Sequence, residues 1–513
     1  MGDSARTVVL VLAIGAAAGC GSRAGVRLDP PAVARADVLI AQGCYDCLVE
    51  ARDVYDQAAA KARGGALAAL QQRSFQAQLL IVLREKELAL DSSAALARAR
   101  TLAARLDPTG GAARVVDLVE ASPSDSVGTP KMDQPRLPLG QPSLTERFKA
   151  LDVPWLSSLS RAYLASAFDC AGARIPGARP APPPAADAAP LLIYRHAICG
   201  GSGSNAALER VHAAVPRFVE TSLFRGRTGM AAVFGGDPFA PLALLEEAYA
   251  RFPQSPAVTM HLGTLYQAMG DCRAAMRYFD ETVALRDRHE DGRLGRTICR
   301  TYLREPEAAI AEATALFDLR SYNQGEALYW RAWNLREQKQ LASARADIDR
   351  TRTLLYNSRV LTLAGMIEHD QNELDAAEAD LLEARSLENA NCPAAWYLGV
   401  VRYRQQRWLP SAAAFSDAET CYADSVTDIE RRREQMATRT DVDQAFRERQ
   451  LAGFDAALQE DRSQRSAAAL NAAMNFARAG DIPNANKYID SAAGDPARAV
   501  PIAELRKAIE GRR

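Results

Sequence analysis

The sequence predicts an all-α fold built from repeated helical hairpins. Alanine is abundant along the chain and glycine and proline gather in a few segments, while long stretches with β-strand alternation are hard to find. From about residue 222 a small residue also recurs with steps of 34, 32, 37, 33 and 34 residues, at Gly229, Gly263, Gly295, Ala332, Gly365 and Gly399. A period in this range is typical of stacked helical units.

One segment of the repeated region shows the unit clearly. The stretch VTMHLGTLYQAMGDCRAAMRYFDETVAL, Val258 to Leu285, resembles the tetratricopeptide repeat, a pair of antiparallel helices joined by a tight turn. The matching packing and turn positions are Leu262, Gly263, Tyr266, Gly270, Asp271, Ala275 and Phe279. Because Gly263 and Ala275 are small, the two helices can cross closely at these positions. The resemblance implies an α-solenoid.

Two further segments extend the same pattern towards the termini. ADVLIAQGCYDCLVEARDVYDQA, Ala36 to Ala58, places Gly43 in a turn that is lengthened around two cysteines. NFARAGDIPNANKYIDSA, Asn475 to Ala492, forms the last clear unit. We therefore expect one hairpin of this type near each end of the chain.

Composition divides the chain into segments, with Pro-rich linkers in the N-terminal half. The predicted segments are a lipoprotein signal peptide (1–19), an N-terminal helical region with a hairpin (20–120), a linker (121–145), a helical region (146–221) with a Pro/Ala-rich loop (174–190), the repeat array (222–427), a charged helical segment (428–465), and a C-terminal unit with a capping helix (466–513). In the charged segment acids and bases are interspersed, which favours one or two long solvated helices that continue the superhelix. A net charge of −1 likewise gives no field that would attract nucleic acid.

The N-terminal stretch LVLAIGAAAGCGSR, Leu10 to Arg23, indicates export. Its apolar run is too short to span a bilayer as a helix, which takes roughly 20 residues. The sequence AAGC, ending at Cys20, resembles the bacterial lipobox, in which the cysteine is acylated and becomes the new N-terminus. We expect Cys20 to anchor a periplasm-facing lipoprotein in the cell envelope, and Gly21 favours the outer membrane over the inner. An ordinary cleaved signal with an incidental cysteine is the alternative.

Export changes the interpretation of the remaining eight cysteines. An even number in an oxidising compartment favours disulfides. Pairing in sequence order gives separations of 3, 29, 27 and 29 residues for Cys44–Cys47, Cys170–Cys199, Cys272–Cys299 and Cys392–Cys421. Buried unpaired thiols are the competing interpretation.

The sequence offers no recognisable catalytic apparatus. The five histidines show no metal-ligand spacing, and no serine or cysteine sits in a known nucleophile motif. We expect no enzymatic activity, cofactor or metal, and we expect binding of a protein or peptide partner in the cell envelope. The alternatives are a structural subunit of an envelope, secretion or pilus assembly and, more remotely, an unrecognised enzyme.

The resemblance also implies where a partner binds. In tetratricopeptide arrays the first helix of each unit lines the concave face, on either side of the small residue. Aromatic and arginine side chains at such positions are typical of interface hot spots. The candidates for a partner-binding groove are Tyr329, Trp333, Arg336, His369, Trp396, Tyr403 and Arg404. Packing in the core between helices is the alternative role for the aromatic residues.

Overall fold

The chain is helical throughout the part described by the structure, a computed structural model. The described residues are 30–107, 110–122, 143–170, 184–185, 187–199, 204–230, 239–320 and 322–511. Within these ranges there are 24 α-helices, one short 3₁₀ helix at Pro496–Arg498, and no β-strand. The predicted all-α fold is confirmed.

Nine helices form the N-terminal part. They are α1 (Pro30–Gln42), α2 (Tyr45–Lys61), α3 (Gly64–Glu87), α4 (Ser93–Leu106), α5 (Gly111–Ala121), α6 (Leu144–Lys149), α7 (Ser158–Cys170), α8 (Pro190–Ile198) and α9 (Ser204–Ala214). The predicted turn at Gly43 separates α1 from α2 with a φ of 75°. A Cβ atom there would lie 2.4 Å from Leu191, so the turn backbone packs directly against α8.

The remaining helices form a row of antiparallel hairpins, the repeat array. They are α10 (Glu220–Met230), α11 (Phe239–Arg251), α12 (Pro256–Ala268), α13 (Cys272–Leu285), α14 (Glu290–Tyr302), α15 (Pro306–Asp318), α16 (Gln324–Glu337), α17 (Leu341–Leu354), α18 (Ser358–Asp370), α19 (Leu374–Leu387), α20 (Cys392–Arg404), α21 (Trp408–Ala437), α22 (Gln444–Arg478), α23 (Ile482–Ala492) and α24 (Ala499–Glu510). Even-numbered helices from α10 to α22 are the first helices of their units. The predicted α-solenoid of helical hairpins is confirmed.

The turns inside six described units share one conformation. The second residue after the first helix is left-handed in each of them, with φ between 61° and 84°, at Gly270, Arg304, Lys339, Asn372, Gln406 and Gly480. Only two of these are glycine, although a left-handed backbone favours glycine. Because four bulkier residues adopt it as well, hairpin packing overrides the local preference.

Polar caps begin many of the helices. The Asp271 carboxylate accepts a hydrogen bond from the Ala274 amide at 3.0 Å and so caps α13. Asn357 caps α18 and Asn391 caps α20 in the same way. Since Asp and Asn side chains satisfy the unpaired amides of the first helical turn, they fix where each helix begins.

Small residues on the first helices allow close contact with the second helices, as the repeat pattern predicts. A Cβ atom at Gly263 would lie 2.7 Å from the Phe279 ring, and one at Gly295, in the next unit, would lie 2.3 Å from the same ring. Phe279 is fully buried between these two glycines. A Cβ atom at Gly399 would similarly lie 2.8 Å from the ring of Phe415. Each glycine therefore makes room for one large side chain.

The charged segment lies in two long helices that also belong to the row of hairpins, since α21 packs against α20 and α22 packs against α23. Helices α21 and α22 contain 30 and 35 residues, which corresponds to lengths of roughly 45 and 53 Å. They pack antiparallel as the long hairpin, whose tip comprises residues 436–451. Phe446 in this tip lies 5.4 Å, between ring centroids, from Phe239 of α11. The hairpin therefore returns to an early unit of the array.

A buried ionic network joins the N-terminal helices to the array. Arg84 of α3 lies 3.0 Å from Glu220 of α10 and 3.0 Å from Glu87, and Arg195 of α8 lies 2.6 Å from Glu87. All four side chains are enclosed. The Arg84 guanidinium also lies 4.1 Å from the centroid of the Tyr194 ring. Because two positive and two negative charges are paired here, removing one partner would leave an uncompensated buried charge.

Two of the predicted disulfides are present. Cys44 and Cys47 are bonded with a Cα separation of 4.9 Å, and Cys392 and Cys421 with a Cα separation of 5.4 Å. Cys199 is also disulfide-bonded, whereas the side chain of Cys170 lies outside the described part of the chain.

The predicted bond between Cys272 and Cys299 is wrong, although the predicted proximity is right. Both are free, buried thiols. Their mutual interaction, together with burial, raises the pKa of the Cys299 thiol, and the same interaction lowers the pKa of the Cys272 thiol.

The N-terminal segment with Cys20 lies outside the described residues, so the lipobox stays a prediction. None of the helices described is both long enough and apolar enough to cross a membrane.

Replacing Gly295 with alanine is expected to destabilise the array, because the new Cβ atom would lie 2.3 Å from the buried Phe279 ring. Overpacking of this kind costs about 1–3 kcal/mol, whereas alanine gains at most about 1 kcal/mol over glycine in a helix. Urea unfolding of the two proteins measures the difference.

Gly453 provides the matched control. It lies in α22 with nothing within 4 Å of an added Cβ atom, so Gly453→Ala is expected to stabilise the protein by about 0.5–1 kcal/mol. Equal unfolding midpoints for Gly295→Ala and Gly453→Ala would show that the Phe279 contact does not constrain the packing.

Candidate functional site

Side chains from the first helices of three consecutive units meet on one surface. The Arg336 guanidinium of α16 lies 2.9 Å from the Asp370 carboxylate of α18. It also donates a 2.9 Å hydrogen bond to the hydroxyl of Tyr397 in α20. We call this surface the first-helix face and define it by Arg336, His369, Asp370, Tyr397 and Arg404.

His369 and Arg404 continue the same surface. His369 Nδ1 lies 3.0 Å from the Asp370 carboxylate, and its ring meets Tyr397 edge-on at 5.9 Å between centroids. Arg404 is exposed and donates to the His369 carbonyl at 3.1 Å and to the Asn372 side chain at 2.7 Å. The structure thus brings together three of the seven candidate residues, Arg336, His369 and Arg404. Of these Arg336 is buried, with 7% of it exposed, so it supports the face rather than lining a groove.

Sequence reasoning missed Asp370 and Tyr397. Tyr397 precedes Arg404 by seven residues, or about two helical turns, and so lies on the same helix face. That spacing was the available signal. Asp370 had no such signal, because its role depends on the position of Arg336 in the preceding unit.

Tyr329 is a core residue, which corrects its assignment to the groove. Only 3% of it is exposed, and it meets Trp330 edge-on at 5.2 Å between ring centroids. The Arg359 guanidinium covers its ring at 4.4 Å, and burial raises the pKa of the Tyr329 hydroxyl. Trp333 is half-buried against the same cluster. The large rings of α16 therefore fill space between helices.

Trp396 and Tyr403 lie towards the C-terminal end of the array. Trp396 is half-buried and meets Phe415 of α21 edge-on at 5.3 Å between ring centroids. Tyr403 is 37% exposed and meets Trp408 edge-on at 5.6 Å. The Arg478 guanidinium of α22 lies 4.8 Å from the Tyr403 ring. Of the two, Tyr403 is the more accessible.

A buried carboxyl group of α18 lies near charged side chains of the second helices α17 and α19. Burial, reinforced by the nearby Asp380 carboxylate, raises the pKa of Glu368 to about 7, although Arg345 opposes the shift. The Arg345 guanidinium lies 3.2 Å from Glu368. The charge of this carboxyl group therefore changes near neutral pH.

The tip of the long hairpin forms a second assembled surface, which no local sequence pattern predicts. Phe446 lies 6.1 Å, between ring centroids, from Tyr266 of α12 in addition to its contact with Phe239. Arg449 lies 3.7 Å from the Asp271 carboxylate. These partners are nearly 180 residues apart in the sequence, so the contact arises from the course of the whole array.

The described residues contain no group of three or more His, Cys, Asp or Glu side chains arranged to hold a metal ion. Asp370, the acidic member of the first-helix face, is instead paired with Arg336 and His369.

Among known proteins, similarity to this chain is found in solved structures. No protein-family model matches the chain, and no curated protein matches it. A tetratricopeptide repeat protein from Parabacteroides merdae is similar over 57% of this chain and 98% of its own, with 14% identity and a TM-score of 0.37.

Two further solved structures are similar. The APC/C hetero-tetramer Cut9–Hcn1 covers 93% of this chain and 92% of its own, with 11% identity and a TM-score of 0.44. YrrB, described as a TPR protein with an unusual peptide-binding site, covers 34% of this chain and 91% of its own, with 14% identity and a TM-score of 0.29. The chain's own hairpins, left-handed turns and glycine contacts form an array of antiparallel helical hairpins.

Proposed function

We propose that the chain is an exported, lipid-anchored tetratricopeptide scaffold that binds a protein or peptide partner in the bacterial cell envelope. The observation that carries this proposal is the first-helix face, where α16, α18 and α20 present neighbouring polar and aromatic side chains. Its role is binding rather than catalysis.

The chemistry of the first-helix face supports binding. Asp370 is held in place by the buried Arg336, so little of its side-chain freedom is lost when a partner binds. Arg404 is the exposed member of the face, and Tyr403, the preceding residue of α20, is also exposed. Arginine and tyrosine are enriched among residues that dominate interface energies. A partner that contacts Arg404 would be recognised by its carbonyl or carboxylate groups.

Two features support export. The sequence AAGC ends at Cys20 after an apolar run, as in a lipoprotein signal. The Cys44–Cys47 and Cys392–Cys421 disulfides suit an oxidising compartment.

Site-specific cross-linking tests the binding proposal. A photo-reactive amino acid in place of Arg404 is expected to give one discrete protein adduct in cells, because the first-helix face contacts the partner. Leu382 is the matched control, since it is 44% exposed but lies on the second helix α19. Equal adducts from both positions, or adducts from Leu382 alone, would place the partner elsewhere.

Fractionation tests the lipid anchor separately. Cys20→Ser is expected to leave the protein unprocessed or to release it from membranes, because an acyl chain contributes about 0.8 kcal/mol for each buried CH₂ group. Cys272→Ser retains Cys20 and is the control. A processed Cys20→Ser protein that still sediments with membranes would argue against lipidation at this residue.

A further inference from the structure

The tip of the long hairpin contacts the early units as a bound peptide ligand would. The tip (residues 436–451) presents Phe446 and Arg449, three residues apart on one face of α22. The opposing surface, here called the tip-binding surface, comprises Phe239, Leu242 and Glu246 of α11 together with Tyr266 and Asp271.

An aromatic side chain provides the apolar part of the contact. Phe446 is only 5% exposed, and its ring meets the rings of Phe239 and Tyr266 at 5.4 and 6.1 Å between centroids. Both rings are approached in T-shaped geometry, which aromatic pairs prefer. Phe446 therefore behaves as the anchor of the contact.

Charge complementarity accompanies the apolar contact. The tip-binding surface carries the Asp271 and Glu246 carboxylates, and the tip brings Arg449 to 3.7 Å from Asp271. The Tyr266 hydroxyl donates to Glu246 at 3.2 Å. The aromatic ring of Phe446 thus meets aromatic rings of the tip-binding surface, and the positive charge of Arg449 lies near the Asp271 carboxylate.

The rest of the long hairpin holds itself together without this contact. Val426, Ile429 and Leu458 form a small apolar core between α21 and α22. Ion pairs join the same helices, with Arg433 lying 2.6 Å from Asp455. Helices α21 and α22 therefore have contacts with each other that do not involve the tip-binding surface.

Open space remains beside the contact. A cleft of about 440 Å³, partly open to solvent, lies between the tip and the tip-binding surface, lined by Phe239, Glu246, Tyr266, Phe446 and Arg449 among others. The cleft provides room for a segment that contacts more of this surface than the tip does.

We propose that the tip-binding surface is a binding site for a helical segment of another protein that carries an aromatic residue followed three positions later by Arg or Lys. In the resting chain the hairpin tip occupies this site in cis. The recognition mode is a helix docked in a groove. The proposal goes beyond the first-helix face and does not depend on it.

A peptide copy of the tip tests the proposal. The probe is a fluorescein-labelled peptide with the sequence of residues 441–455, mixed with the full chain and followed by fluorescence anisotropy. The Phe446→Ala, Arg449→Ala chain has lost its internal competitor, so we expect it to bind the probe at least tenfold more tightly than the unmodified chain does. Arg431→Ala is the matched control, because Arg431 is exposed and pairs with Asp428 within the hairpin.

Second-site variants identify the surface. When Tyr266→Ala or Asp271→Asn is added to the Phe446→Ala, Arg449→Ala chain, the increase in affinity for the labelled peptide is expected to disappear. Asparagine at position 271 preserves the helix cap of α13. Arg449→Glu alone is a milder variant that keeps Phe446, and it should increase the affinity less. Equal affinity for the unmodified and Phe446→Ala, Arg449→Ala chains, or binding unaffected by Asp271→Asn, would overturn the proposal. Neither result bears on cross-linking through Arg404.

Discussion

The architecture depends on the close approach of two helices at a glycine. Phe279 fills the space beside both Gly263 and Gly295, and the Phe415 ring occupies the equivalent space beside Gly399. Because one side chain touches two consecutive first helices, the contact fixes the packing within a unit and also the angle to the next unit. Repeated along the row, that angle sets the curvature of a solenoid. The long hairpin can meet α11 and α12 only if this curvature is maintained.

The early units are held from both directions. On one side, the buried pairs of Arg84 with Glu220 and of Arg195 with Glu87 join α10 to the N-terminal helices. On the other side, Phe446 packs against α11 and α12. A buried ion pair contributes little net stability but strongly disfavours arrangements that separate its members. The chain is therefore a curved scaffold closed by its own hairpin, with the first-helix face on a framework of defined shape.

Much of this fold follows from local sequence. The period, the turn at Gly270 and Asp271, and the Cys392–Cys421 bond depend on residues within one unit, so spacing predicts them. The site was less predictable. Arg336, His369 and Arg404 share a face because helical stacking is regular, whereas the burial of Tyr329 depends on Arg359 and Trp330 around it. The course of the long hairpin could not be predicted, because it results from the summed angles of several units.

The position of the hairpin tip tests the closed scaffold most directly. Spin labels can be attached at Thr440 in the tip and at Arg273 in α13, both exposed, through non-natural amino acids so that the native cysteines are untouched. Pulsed electron resonance then gives the distribution of distances between the two labels. A closed scaffold predicts one narrow, short-distance population that broadens when Phe446 is replaced by alanine. A broad distribution extending to long distances in the unmodified chain would contradict it.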